Sequence, residues 1–162
     1  MPYCEFTSIG EVADHVGKSV RPLAADYHII VRPHPNYPEF AEMLRRFDFA
    51  PTMMPTASLV PLADLFVAFA SATIRWAIAC GVPTVNYDVF HYDYADFAAA
   101  KGVQTVKGGQ EFSDLMRSLR PTTPALAALA TTARADSAYW SVMDGRGLER
   151  IEEAIWEARK AR

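Results

Sequence analysis

Four segments of this 162-residue chain combine side chains that can do chemistry. The first is Arg32-Pro33-His34-Pro35. An imidazole in such a loop can donate a hydrogen bond to a phosphate oxygen, and the free amides of a following helix add positive potential. Pro33 and Pro35 stiffen the loop, which reduces the entropy lost when a ligand is held. The same four residues also read as a plain surface turn whose histidine touches only water. The second segment is Phe69-Ala70-Ser71-Ala72-Thr73. Small residues let an anion approach the backbone closely, and the hydroxyls of Ser71 and Thr73 can add hydrogen bonds. The competing reading is an ordinary serine N-cap.

The third segment, Asp88 to Asp96, is dense in Asp, His and Tyr. Tyrosine rings can stack on a sugar or base, or hydrogen-bond it, so Asp88, His91 and Tyr92 are candidate ligand contacts. An aromatic-rich surface lid is the alternative. His91 and Asp93 have no Glu or His at helical spacing to complete a zinc or iron site, so no metal is expected. The fourth segment, Asp144-Gly145-Arg146-Gly147, reads best as a turn before a helix. Arg75, a lone charge on an otherwise apolar helix, either snorkels to the surface or pairs with a ligand phosphate. Arg32 is a further candidate contact beside His34.

Several chemistries lack their residues. There is no G-x-x-x-x-G-K-[ST] phosphate loop and no G-x-G-x-x-G dinucleotide fingerprint. There is no G-x-S-x-G elbow, H-E-x-x-H or paired C-x-x-C. No catalytic residue is singled out, and no cofactor is expected. A net charge of −3 argues against a basic nucleic-acid grip. Cys4 and Cys80 form no disulfide or metal pattern, which suits a cytoplasmic protein. The longest uncharged run, Phe49 to Ala63, carries three prolines and falls short of a membrane span. The start of the chain shows no signal-peptide pattern.

Helices and strands must hold these loops in place. Ser8 and Glu11 form a capping box for a helix whose Ile9, Val12, Val16, Val20 and Leu23 share one face. Strands are expected at Tyr3–Phe6, Tyr27–Val31, Thr52–Met54, Asp64–Phe69, Pro83–Tyr87 and Val103–Lys107. Ala57–Ala63 is an ambiguous helical turn. Further helices are expected after an Asn36 cap, from Ser71 to Gly81, from Tyr92 to Lys101 and from Gln110 to Leu119. Pro124–Trp140 and Leu148 onward are helical, the last with an apolar stripe at Leu148, Ile151, Ile155 and Ala158. The alternation predicts an α/β fold: one Rossmann-like, doubly wound parallel sheet with helices on both faces and a helical tail. Residues 1–162 make a single domain. Residues 1–26 supply an opening strand and helix, and residues 122–162 supply the carboxyl-terminal helices. In such sheets ligands bind beyond the carboxyl ends of the strands, which draws attention to the loops after Val31 and Phe69.

In order, IIVRPHP (Ile29 to Pro35), ADLFVAFASAT (Ala63 to Thr73), ACGVPTVNYD (Ala79 to Asp88), and Asp144-Gly145 with Arg150-Ile151 form a set. It resembles the carboxyl-terminal, donor-binding half of a GT-B glycosyltransferase. The nearest groups are the capsule and teichoic-acid transferases with an HP motif, which include CDP-glycerol glycerophosphotransferases and polysialyltransferases. Their patterns run roughly K-x-H-P, A-D-x-x-x-[ST]-x-[ST]-[ST], G-x-P-x-x-x-x-D and D-G-x-x-x-x-R-I. The likeness spans about Tyr27 to Ile151.

The resemblance implies a nucleotide-linked sugar or CDP-polyol donor used in surface polysaccharide synthesis, without an obligatory metal. It puts His34 on the donor phosphate, and Ser71 and Thr73 at the phosphate-binding helix. Where many such domains carry a ribose-binding glutamate, this chain has Arg75 and Trp76. Acceptor groups and the usual base come from an amino-terminal half. The resemblance therefore implies such a half in the same polypeptide or in a partner subunit, with the isolated chain inactive. It is compatible with peripheral membrane association of the whole enzyme and with a homo-oligomer. Two alternatives share this half-fold: a UDP-GlcNAc 2-epimerase-like domain, and a non-catalytic nucleotide-binding or assembly module.

Overall fold

Ser8 opens the first helix, α1 (Ile9–Val20), as the capping box requires. Its hydroxyl accepts the Glu11 amide at 3.2 Å, and the Glu11 carboxylate accepts the Thr7 amide at 2.7 Å. Pro22 then turns the chain into a 3₁₀ segment, Arg21–Ala25, which buries Leu23. The chain is described here by a computed structural model over residues 5–34, 38–140 and 144–160.

The remaining elements follow in order. They are β1 (Ile30–Val31), α2 (Pro38–Arg45), β2 (Ala50–Pro51), α3 (Thr56–Leu59), β3 (Phe66–Ala68) and α4 (Ile74–Ala79). Then come β4 (Thr84–Tyr87), β5 (Val103–Val106), α5 (Gly109–Ser118), α6 (Pro124–Trp140) and α7 (Gly147–Lys160). Short 3₁₀ turns cover Val60–Leu62 and Ala95–Phe97.

Among the described residues all three strand pairings are parallel, and the class is α/β. β4 lies between β3 and β5, with Phe66 opposite Thr84 and Thr84 opposite Val103. Side chains of β3 alternate between two cores, as a strand covered on both faces must. Val67 joins Val12 and Val16 of α1 and Phe112 and Met116 of α5. Phe66 and Ala68 join Ile74 and Ile78 of α4. Helices therefore cover both faces of this sheet.

The expected parallel α/β architecture is present, but not as one continuous ladder. Among the described residues the strands form two parallel ladders, β1–β2 and β3–β4–β5. Length is the physical reason. The Tyr27 amide is held by the Leu23 carbonyl, and the Tyr27 hydroxyl donates to the Leu119 carbonyl at 2.9 Å. Only Ile30 and Val31 remain in a ladder, paired with Ala50 and Pro51. Of the expected first strand, Tyr3 and Cys4 lie outside the described residues, Glu5 is in a turn, and Phe6 makes an isolated bridge. Hydrophobic packing links the ladders instead, because Phe40 of α2 packs against both the α1–α5 core and the Leu44–Phe47–Phe49 core.

Three further expectations shift. β2 falls at Ala50–Pro51 rather than Thr52–Met54, since the Met54 amide turns back to Thr52 Oγ1. α4 begins at Ile74, three residues after Ser71. The helix expected over Tyr92–Lys101 is reduced to the 3₁₀ turn. The proposed Asn36 cap lies outside the described residues. α6 and α7 match the helical tail. α7 has no buried residue, and its Leu148, Ile151, Ile155 and Trp156 are all exposed. No helix among the described residues is long and apolar enough to cross a membrane.

Candidate functional site

The loop after β3 is built by strain and one buried amide side chain. Ala70 adopts a left-handed backbone with φ 46°, a conformation that costs an alanine on the order of 1–2 kcal/mol. Its N–H donates to Asn86 Oδ1 at 2.9 Å, and Asn86 Nδ2 donates to Thr105 Oγ1 at 3.3 Å. Asn86, buried on β4, thus ties the loop to β5. The sharp turn at Ala70 delivers Ser71 and Thr73, both half-buried, to the start of α4. Their hydroxyl oxygens lie 2.9 Å apart, and Ser71 Oγ accepts the Thr73 amide at 3.3 Å. Ser71 therefore closes a local turn ahead of α4, whose N-cap residue is Thr73. Arg75 and Trp76 follow on the exposed side of α4.

The loop after β1 holds Arg32 and His34. The Arg32 guanidinium donates to the carbonyl of Met54 at 2.9 Å and to that of Pro33, so it braces the loop. His34 is exposed. The two candidate loops are joined through aromatic rings. Phe40, six residues beyond His34, meets Phe69 with ring centroids 5.7 Å apart, and Phe69 also meets Tyr87 at 5.8 Å.

The loop after β4 is organised by Asp88, which is 2% exposed. One carboxylate oxygen accepts the Tyr92 amide and the other the Asp93 amide, both at 2.9 Å. His91 and Asp93 take left-handed backbones. These bonds compete with helix formation, which explains the missing helix. Asp88 is thereby a loop organiser whose oxygens are engaged. Past it runs an aromatic file, Phe90, Tyr92, Tyr94 and Phe97, with successive centroids 5.2, 5.4 and 6.5 Å apart. Tyr92, Tyr94 and His91 are exposed. Lys107 pairs with Asp93 and anchors the loop to the end of β5.

Asp144 and its neighbours behave as a turn and helix start. Asp144 accepts the Arg146 amide at 3.0 Å and pairs with Arg150 at 2.6 Å. Among the described residues, no three His, Cys, Asp or Glu side chains group closely enough to hold a metal.

A further polar cluster escaped the motifs. His15 of α1 sits among the rings of Phe6, Tyr87 and Phe112, with centroids 5.2, 6.1 and 6.1 Å away. Burial pushes its pKa down, opposed by the Gly109 backbone and the charge of Glu5. Tyr87 is wholly buried, and burial together with Glu5 pushes its phenol up to about 12. Glu5 itself accepts the Gly109 amide at 2.7 Å. A lone histidine on a helix face carries no spacing signal, so the sequence offered no route to this cluster.

Comparisons of the chain with protein-family models, with curated proteins and with solved structures gave no match.

Proposed function

We propose that the chain is a donor-binding domain for a nucleotide-linked sugar or CDP-polyol, working in a glycosyl- or glycerophosphotransferase of surface polysaccharide synthesis at the cytoplasmic side. One observation carries the reading: the strained turn at Ala70, pinned by Asn86, which sets two adjacent hydroxyls and the start of a helix at the carboxyl end of β3. Parallel sheets bind ligands at that end. The Phe40–Phe69 contact supports a shared site with the His34 loop. In this reading the two ladders are wings of one doubly wound sheet ordered β2-β1-β3-β4-β5. Fixed donors aimed at the leaving nucleotide phosphate stabilise charge that develops during transfer.

Titration with CDP, UDP, CMP and GDP, followed by calorimetry and thermal shift, tests the proposal. A hydrogen bond to a charged group contributes about 1.5–3 kcal/mol. His34→Ala should therefore weaken binding about 10- to 100-fold. Ser71→Ala should weaken binding and also lower the melting temperature, since the same oxygen accepts the Thr73 amide. Equal nucleotide affinity in wild type and His34→Ala, or no binding by wild type, overturns the reading.

A further inference from the structure

We propose that the amino-terminal end of α5 is a second anion site, built for a tetrahedral oxyanion of the phosphate class and occupied internally by the Glu5 carboxylate. It lies after β5, separate from the loops after β1 and β3, and does not rest on the donor-site reading.

Three polar groups lie around this helix end. The first is its backbone. α5 has ten residues, its N-cap Gly108 supplies no side chain, and the Gly109 N–H points at Glu5 Oε2 at 2.7 Å. Unpaired amides and the helix dipole make such an end attractive to anions. The second is Tyr87. Its ring lies flat on Phe112 in the first turn of α5, with centroids 4.3 Å apart and 7° between planes. Tyr87 is wholly buried, and its hydroxyl has no hydrogen-bond partner among the described residues. The third is His15, whose Nε2 is likewise buried without a partner among the described residues. A Cβ placed on Gly109 would sit 3.2 Å from both Glu5 Oε2 and His15 Nε2. Carboxylate and imidazole therefore share one corner, which only a glycine leaves open.

An unmet buried polar group costs about 1–3 kcal/mol, and with the imidazole proton on Nε2 both His15 and Tyr87 are donors that call for an acceptor. A planar carboxylate engages Gly109 and leaves Tyr87 and His15 unmet. A phosphate offers four oxygens in a tetrahedron and can satisfy all three. Glu5 is an exposed residue and can swing away. The other charges nearby are Lys18, which acts on His15, and Glu111, whose carboxylate accepts the Lys107 amide at 3.2 Å.

The test follows the Gly109 amide by two-dimensional NMR in the full chain during titration with inorganic phosphate, with glycerol 3-phosphate as a monoester and acetate as a planar control. Glu5→Gln removes the competing charge while keeping the shape, so phosphate should saturate Gly109 at about a tenth of the wild-type concentration. Adding Tyr87→Phe or His15→Gln should reverse at least half of that gain. Ser71→Ala should leave the titration unchanged, which separates this site from the donor site. A monoester that binds as well as free phosphate marks an open pocket for phosphorylated ligands; one that fails to bind marks a site for the free ion. The proposal is overturned if Gly109 in Glu5→Gln does not respond to about 50 mM phosphate, or if acetate acts as strongly as phosphate. It is overturned equally if Tyr87→Phe, which keeps the ring and its stacking, leaves phosphate affinity unaltered in the wild-type and Glu5→Gln backgrounds.

Discussion

Phe40, near the start of α2, meets Phe69, just past β3, edge to face: the centroids are 5.7 Å apart and the planes 73° from each other. This geometry places the positive edge of one ring against the negative face of the other. It also links the segment following His34 to the loop bearing Ser71.

The pair should show coupling in a double-mutant cycle. Edge-to-face pairs contribute about 0.5–1.5 kcal/mol beyond their burial. Phe40→Leu and Phe69→Leu, combined and unfolded in urea, should depart from additivity by that amount. Strict additivity would mean that the two loops are positioned independently, and the shared-site geometry would lose its main support.

Asp88 gives a second prediction. Each of its oxygens accepts a backbone amide inside the protein. Hydrogen bonds to a charged group contribute about 1.5–3 kcal/mol, so Asp88→Ala should destabilise the fold by about 3 kcal/mol or more. Asp88→Asn keeps one acceptor oxygen and should lose less. Hydrogen exchange at the Tyr92 and Asp93 amides should accelerate in both variants. Unchanged protection at these two amides would show that the loop is held by its aromatic file instead.

What the sequence made legible follows from the range of each interaction. The α1 cap rests on residues three apart, and Ser8 and Glu11 behave as their spacing requires. The apolar run around β3 and the segment Thr84–Tyr87 were recognisable because full burial demands continuous apolar side chains. Strand lengths were not. Tyr27 leaves the extended pattern because its hydroxyl finds the Leu119 carbonyl, 92 residues away. Tyr92 has helix-compatible neighbours, yet Asp88 captures its amide. In the candidate site, Ser71 and Thr73 were found from their place after a strand. Asn86 was missed, because its partners, Ala70 and Thr105, lie on separate loops and strands that only the folded sheet brings together.

The last prediction concerns Tyr87 and pH. Burial holds the folded-state phenol up to about 12, against about 10 in an unfolded chain. Between those values the unfolded chain has lost the proton and the folded one has kept it, so stability falls as pH rises. The contribution is fully present below pH ~10 and is lost by about pH 12, and two units correspond to about 3 kcal/mol. Tyr27 is raised in the same direction and adds to this limb. Tyr87→Phe should therefore flatten the alkaline limb without abolishing it. At neutral pH it should be neutral or slightly stabilising, because the hydroxyl it removes is buried without a partner among the described residues. The acid side belongs to His15, whose folded pKa is lowered. There the unfolded chain takes up a proton first, so stability is lost as pH falls below about 6.5. His15→Gln should flatten that limb, and Tyr87→Phe should leave it in place. Urea midpoints measured from pH 5 to pH 11.5 read both limbs, and an alkaline limb as steep in Tyr87→Phe as in wild type would show that the phenol is not the group being titrated.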